Sequence, residues 1–110
     1  MEIFDLKKGD TKIVVLKGKL DALTAPVFRS RAMAMIEEGD FRLLLDCSSL
    51  DYVSSAGLRV LFEILYKLRE LSGWMGCHSV NSNVIKIFTM VDFVSEVPVF
   101  NSEEEALKTI

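Results

Sequence analysis

Residues 41–73 decide the fold, and they read FRLLLDCSSLDYVSSAGLRVLFEILYKLRELSG. The start of this segment is almost continuously apolar, which is typical of a strand that is covered on both faces. Residues 47–53 are predicted to form a loop. A long helix is predicted to begin at Ser54 or Ser55 and to end near Ser72, because apolar residues recur at helical spacing and a glycine follows.

Patterns on both sides of this segment extend the architecture. Residues 74–79 are predicted to form the next strand, so the strand–helix–strand unit is a right-handed βαβ with parallel strands. Residues 3–6 and 11–17 are predicted to form an N-terminal hairpin. The other predicted elements are a loop at 18–21, a helix capped by Thr24 and ended by Gly39, a helix at 83–91, an extended piece at 97–100 and a helix capped by Ser102. The predicted class is α/β: a small mixed β-sheet, made by the hairpin and the parallel βαβ unit, covered by about four helices.

Composition excludes several classes of function. The chain has 110 residues, with 13 Lys and Arg against 16 Asp and Glu, a formal charge of −3. This length predicts a single domain over residues 1–110, and mild acidity without a basic patch argues against direct binding of nucleic acid. We expect a cytoplasmic protein that does not bind membranes, because there is no positively charged leader and no membrane-length apolar stretch. Cys47 and Cys77 are expected to be buried thiols, and His78 alone cannot form a metal site.

Serines cluster where the predicted central strand gives way to the long helix. Ligands and reactive groups gather beyond the carboxyl ends of strands in open α/β sheets. A phosphate on Ser54 or Ser55 would meet the positive end of the helix dipole and would add about −1.5 to −2 charges to the surface. The alternative is that Ser54 is only an N-cap and Ser55 only fills the first turn.

Other polar and aromatic residues near this point also allow two interpretations. Asp46 could simply accept hydrogen bonds from backbone N–H groups, and Asp21 could cap a helix or form an Asx-turn. The alternative for Asp21 is a place at the rim of a partner-binding face. Tyr52 and Val53 could be exposed apolar anchors of that face, or could pack in the interior.

Residues 46–61, which read DCSSLDYVSSAGLRVL, resemble the signature of the STAS domain, specifically that of the stand-alone anti-sigma factor antagonists of bacteria. Members of this family carry a strand that ends in Asp, an xSxLxxxDS(S/T)GL loop and a long helix. Residues 18–21, which read GKLD before a helix that opens with Ala25-Pro26, are similar to the G-x-L-D element of the family. The resemblance covers nearly the whole chain, and it implies a STAS fold.

The resemblance also implies a mechanism. The unphosphorylated antagonist binds an anti-sigma factor that is also an ATP-dependent serine kinase, and it thereby releases a sigma factor. The kinase phosphorylates a hydroxyl of the motif, which weakens binding, and a separate serine phosphatase restores it. The antagonist is not an enzyme and needs no cofactor or metal. The residues that we expect at the partner-binding face are Asp21, Tyr52, Val53, Ser54, Ser55, Ala56, Gly57 and Arg59.

The chain departs from the family motif at two positions. Aligned on Gly57, the family's Asp falls on Ser54 and its Ser or Thr before Gly falls on Ala56. Because Ala56 has no hydroxyl, Ser55 is the best candidate for phosphorylation and Ser54 is the runner-up. The two departures affect the expected regulation by phosphorylation, and they leave the expected binding of a partner unchanged.

Rival functions lack their motifs. The sequence has no G-x-S-x-G elbow, no phosphate-binding G-x-x-x-x-G-K-[ST] loop and no G-x-G-x-x-G fingerprint. An acidic Mg²⁺ pocket would need clustered acids at strand ends, and Asp46 is the one acid at the end of a predicted central strand. A STAS-like module that binds a small molecule or nucleotide, without regulation by phosphorylation, remains the alternative.

Overall fold

The strands and helices alternate along most of the chain, as expected for an α/β protein. The computed structural model describes residues 1–109, and within them it contains five strands, four helices and one short 3₁₀ helix. Their bounds are β1 Glu2–Lys8, β2 Thr11–Leu20, α1 Ala25–Glu37, β3 Arg42–Val53, α2 Ser55–Glu70, β4 Trp74–His78, α3 Ser82–Met90, the 3₁₀ helix Phe93–Ser95, β5 Val99–Phe100 and α4 Glu103–Thr109.

The strands form one mixed sheet in the order β1-β2-β3-β4-β5. β1 pairs with β2 in the antiparallel direction, and the other neighbouring strands pair in parallel. The predicted N-terminal hairpin and the predicted parallel βαβ unit are both confirmed. The predicted class, a mixed α/β sheet with about four helices, is confirmed as well.

The central strand β3 supplies the core on both sides of the sheet. Leu43 and Leu45 belong to a large core that also contains apolar residues of α1, α2 and α3. Leu44 points the opposite way and packs with Ile13 of β2 and Ala106 of α4. All three leucines are almost fully buried, and each such side chain contributes about 1.5–3 kcal/mol relative to exposure. This two-sided burial explains the continuous apolar run in the sequence.

Two predicted loops are wrong, because both central strands continue further than expected. β3 runs to Val53 through the predicted loop at 47–53, and β2 runs to Leu20 through most of the predicted loop at 18–21. The additional segments pair with each other, from Lys17 opposite Ser49 to Leu20 opposite Val53.

The physical reason is a pair of irregularities in this ladder. The register between β2 and β3 shifts between Val15 and Lys17 and again between Gly18 and Lys19. A bulge breaks the two-residue alternation by which a strand is recognised in a sequence. The buried residues of the added segment are therefore spaced by three, at Cys47, Leu50 and Val53, so the segment does not look like a strand.

No helix among residues 1–109 is both long enough and apolar enough to cross a membrane.

An ion-paired carboxylate connects the N-terminal hairpin to α1. The Asp5 carboxylate accepts hydrogen bonds from Lys12 Nζ at 3.2 Å and from Arg31 Nη2 at 2.9 Å. The hydrogen bond from Lys12, together with that from Arg31, holds the pKa of Asp5 below its ordinary value of 3.8, although partial burial opposes the shift. The ionised form of Asp5 therefore stabilises the folded state.

We expect Asp5→Asn to lower the free energy of unfolding at neutral pH by about 0.5–1 kcal/mol, since the pair is partly exposed to solvent. A depressed pKa in the folded state means that this contribution is complete above pH 3.8, the ordinary value, and is lost as pH falls through the folded-state pKa. Urea unfolding of the variant and wild type across a pH series measures the difference, which should shrink at acidic pH.

Asp10→Asn is the matched control, because Asp10 is exposed in the turn of the same hairpin. It should change stability by less than about 0.5 kcal/mol at any pH. A deficit of Asp5→Asn that stays constant down to about pH 2 would show that the carboxylate charge contributes nothing.

Candidate partner-binding site

The carboxyl ends of β2 and β3 lie side by side and position the start of α2. Leu20 pairs with Val53 at the end of the two strands. One residue later, the Ser54 N–H donates to the Leu20 carbonyl at 2.9 Å. We call residues 52–59, together with Asp21, the α2 corner. It contains every residue that the sequence analysis assigned to a partner-binding face.

The two candidate serines have different environments in the α2 corner. Ser54 has an extended backbone, and its Oγ accepts a hydrogen bond from the Gly57 N–H at 3.2 Å, so it is the N-cap of α2. It is half-buried, whereas Ser55, the first residue of the helix, is exposed. The capping role expected for Ser54 is confirmed. The Ser54 hydroxyl is engaged in the hydrogen bond from Gly57, whereas Ser55 is exposed to solvent.

Gly57 lies directly against the end of β2. A Cβ placed on Gly57 would be 2.6 Å from the Leu20 carbonyl oxygen and 2.8 Å from Leu20 Cγ. A Cβ atom essentially never comes within 3.0 Å of an atom to which it is not bonded, and a backbone carbonyl cannot move away as a flexible side chain would. The position therefore requires glycine, because α2 and β2 approach closely here. Gly57 is buried, so it contributes to the α2 corner by allowing this close approach and not by contact with a partner.

Asp21 uses its carboxylate to build the turn before α1. Its Oδ1 accepts from the Leu23 N–H at 3.0 Å, which is an Asx-turn, and from the Thr24 N–H at 3.2 Å. The hydrogen bond from the Thr24 backbone, and then that from Leu23, lowers the pKa of Asp21. Asp21 thus remains charged at neutral pH while it fixes the turn.

Thr24 occupies the predicted N-cap position of α1, but the expected capping by its side chain is wrong. Thr24 has a helical backbone and makes no capping hydrogen bond. Its Oγ1 instead accepts from the Asp21 N–H at 2.9 Å and donates to the Lys19 carbonyl at 2.8 Å. The hydroxyl points back to the end of β2, because the turn made by Asp21 directs it there.

The exposed part of the α2 corner is both aromatic and basic. Tyr52 is 47% exposed, Ala56 is half-buried, and Arg59 is exposed one helical turn after Ser55. Val53 is 1% exposed. The expectation that Val53 is an exposed anchor is therefore wrong, since its place opposite Leu20 turns it into the core.

A groove between α1 and α2 continues from this corner. Its lining residues are Ala22, Ala25, Pro26, Arg29, Ala56, Arg59, Val60 and Glu63. Arg29 Nε donates to Glu63 Oε2 at 2.6 Å, which connects the two helices. Leu23 and Val27 of the α1 region are also exposed. The sequence analysis did not include these α1 residues, because helical periodicity does not reveal which second helix lies beside the serines.

The groups that could support catalysis are not arranged for it. Asp46 Oδ1 accepts from the N–H and the hydroxyl of Ser48. His78 is buried, its Nδ1 lies 2.8 Å from Ser79 Oγ, and its Nε2 is 3.9 Å from Asp46 and has no hydrogen-bond partner among the described residues. A distance of 3.9 Å is too long for the hydrogen bond that orients a catalytic histidine.

The two cysteines are free and buried, as expected. A hydrogen bond with Cys77, and then burial, raises the pKa of the Cys47 thiol well above its ordinary value, so Cys47 is a poor nucleophile. Within residues 1–109, no three His, Cys, Asp or Glu side chains are placed to hold a metal ion.

Comparison with known proteins agrees with this architecture. The family model described as the STAS domain matches residues 5–106. The chain is 34% identical over 94 residues to BtrV of Bordetella bronchiseptica, which is provisionally named an anti-sigma factor antagonist, and the match covers 86% of this chain and 81% of BtrV.

Two solved structures share the fold. The crystal structure of a protein from Thermotoga maritima, with the same provisional description, superposes with a TM-score of 0.94 at 18% identity and covers 98% of this chain and 93% of that one. The Bacillus cell fate determinant SpoIIAA in its phosphorylated form gives a TM-score of 0.78 at 17% identity, with 98% of each chain covered.

We expect Gly57→Ala to destabilise the protein by about 1–3 kcal/mol, because the added methyl group must displace Leu20. The sign is informative, since replacing glycine by alanine inside a helix ordinarily stabilises by about 1 kcal/mol. Urea unfolding measures the change. Ser55→Ala, two residues earlier and exposed, is the control and should differ from wild type by less than about 0.5 kcal/mol. A Gly57→Ala protein as stable as wild type would contradict the close approach.

Proposed function

The chain belongs to the STAS domain family, and we propose that it is an anti-sigma factor antagonist that uses the α2 corner to bind its partner. In this proposal the partner is an anti-sigma factor with serine kinase activity, and binding it releases a sigma factor. The name of BtrV supports the general role. In this proposal the protein acts by binding its partner through its exposed surface, and it catalyses no reaction itself.

The geometry of the α2 corner supports a binding role. It presents an exposed aromatic side chain, Tyr52, and an exposed cation, Arg59, on a base that the hydrogen bond from Ser54 to Leu20 holds in place. Aromatic and arginine side chains dominate the energetics of protein interfaces. A surface that is already ordered before binding loses less conformational entropy when it docks.

The exposure of Ser55 is the single observation that carries the regulatory part of the proposal. Ser55 is the first residue of α2, its side chain faces solvent, and the first turn of the helix contains no acidic residue. A phosphate there would be favoured by the helix dipole and would not break a cap. Phosphorylation of Ser54, the runner-up, would have to displace the hydrogen bond from Gly57.

A phosphate on Ser55 would change the charge of the docking face while it leaves the fold intact. The added charge of about −1.5 to −2 would stand next to Tyr52 and Arg59, so a partner surface that complements the cation Arg59 would meet an anion instead, and like charges placed across an interface cost several kcal/mol. The structure of SpoIIAA, a protein with a similar fold, was solved in a phosphorylated form, which supports a phosphorylated form of this chain. A serine phosphatase would reverse it, and we place the whole cycle in the cytoplasm, where ATP and sigma factors meet.

We expect Ser55→Asp to weaken binding to the anti-sigma factor by at least about tenfold, without loss of stability. Calorimetric titration and thermal unfolding measure the two quantities. Ser82→Asp is the matched control, because Ser82 is also the exposed first residue of a helix, α3, and lies outside the α2 corner. It should bind as wild type does. If both variants weakened binding equally, a negative charge would weaken binding wherever it is placed, and the result would contradict a specific role for Ser55.

Incubation with the kinase and ATP tests the modification itself. Intact-mass measurement should find one phosphate on the wild type and on Ser54→Ala, and none on Ser55→Ala. If the Ser55→Ala variant still acquired a phosphate, another residue would be the phosphorylation site, and the assignment to Ser55 would be refuted.

A further inference from the structure

The first strand leaves one side of the sheet without a neighbour. Within residues 1–109, β1 pairs only with β2, so the outer backbone groups of a strand of 7 residues have no partner strand. An exposed edge of this length is a template on which another strand can pair. The edge belongs to β1 and includes no residue of the α2 corner.

The apolar side chains of this strand are also uncovered. Phe4 is 51% exposed and Leu6 is 49% exposed, and both lie on the face of the sheet that carries Ile13, since Leu6 pairs with Ile13. On that face α4 packs over Ile13 and Leu44 and leaves Phe4 and Leu6 open. Four of the seven residues of β1 are charged, and charged side chains ordinarily protect an edge strand from indiscriminate pairing, so this edge is open only to a strand whose charges match.

The order of residues in β1 is complementary to itself. The strand reads EIFDLKK from Glu2 to Lys8. If a second copy pairs in the antiparallel direction about a two-fold axis at Asp5, Glu2 faces Lys8 and Phe4 faces Leu6. These residues alternate along the strand, so all four side chains lie on one face. Each contact then occurs twice, as in any isologous interface.

The one like-charged pair in this register is already compensated. Asp5 would face Asp5 of the second copy on the opposite side of the sheet. Each of these carboxylates accepts hydrogen bonds from Lys12 and Arg31 of its own chain, so it arrives with two cations beside it. Lys8 makes an ion pair with Glu103, and the second copy's Glu2 would add another carboxylate to the same ammonium group.

We propose that a second copy of this chain binds at β1, so that the two sheets continue into one another through antiparallel β1–β1 pairing centred on Asp5. Charge complementarity between Glu2 and Lys8 and apolar contact between Phe4 and Leu6 select this occupant and this register. The α2 corner of each copy is not used, and the dimer could present two partner-binding faces.

Analytical ultracentrifugation over a concentration series tests the dimer. The wild type should show a reversible monomer–dimer equilibrium. Phe4→Lys should raise the dimer dissociation constant by at least about tenfold, because it places a charge against Leu6 at two equivalent positions. Tyr66→Lys is the matched control, since Tyr66 is 50% exposed on α2, and it should leave the constant within about twofold.

Cysteine cross-linking tests the register. Directly opposed residues in antiparallel strands have Cα atoms about 4.5–5.5 Å apart, which suits a disulfide bond, so Asp5→Cys should form a covalent dimer under mild oxidation. Lys7→Cys is the control on the same face of the strand, because two copies of residue 7 would lie roughly 13 Å apart along the strand. The native cysteines are buried and do not compete.

A wild type that stays monomeric at every concentration, or a dimer that Phe4→Lys leaves intact, would overturn the proposal. Equal cross-linking of Asp5→Cys and Lys7→Cys would overturn the register. Circular dichroism of each variant confirms that it is folded. None of these results bears on the binding of the anti-sigma factor, because the residues involved lie outside the α2 corner.

Discussion

The contact between the Leu20 carbonyl and the start of α2 is the constraint on which the rest of the candidate site depends. This oxygen accepts the Ser54 N–H at 2.9 Å and leaves no room for a Cβ at Gly57. Both features bring the N-terminus of α2 to the end of β2 and fix the direction of its first turn. Ser54 then caps the helix, and Ser55 follows it into solvent. The exposure of the candidate phosphorylation site is thus a consequence of how a helix and a strand meet.

The α2 corner separates structural duties from those proposed for binding. Ser54, Gly57 and Val53 are used by the fold as cap, point of close approach and core residue. Asp21 is charged, yet its carboxylate oxygen is committed to a turn. The groups left for a partner are those on the outside, so substitutions of the first set should act through stability and those of the second through affinity.

Much of this arrangement could be predicted from the sequence, for identifiable reasons. The apolar run before Asp46 and the periodic helix after Ser55 are strong patterns, because each reflects burial of a whole face. The extension of β3 could not be predicted, since two register shifts remove its alternation. The burial of Val53, which was one of the two interpretations that the sequence allowed, follows from that extension. The Asx-turn at Asp21 was one of the two interpretations that the sequence allowed, whereas the hydrogen bonds of the Thr24 hydroxyl depend on backbone direction, which composition does not encode.

Mapping the bound surface by nuclear magnetic resonance tests the central claim most directly. The isotope-labelled chain would be titrated with the unlabelled anti-sigma factor, and shifts of its backbone amide signals recorded. The account predicts that the largest changes fall within residues 52–59 and on the adjoining part of α1 that lines the groove. Changes confined to β4, β5 and α4, with the signals of Ser55 and Arg59 unmoved, would contradict it.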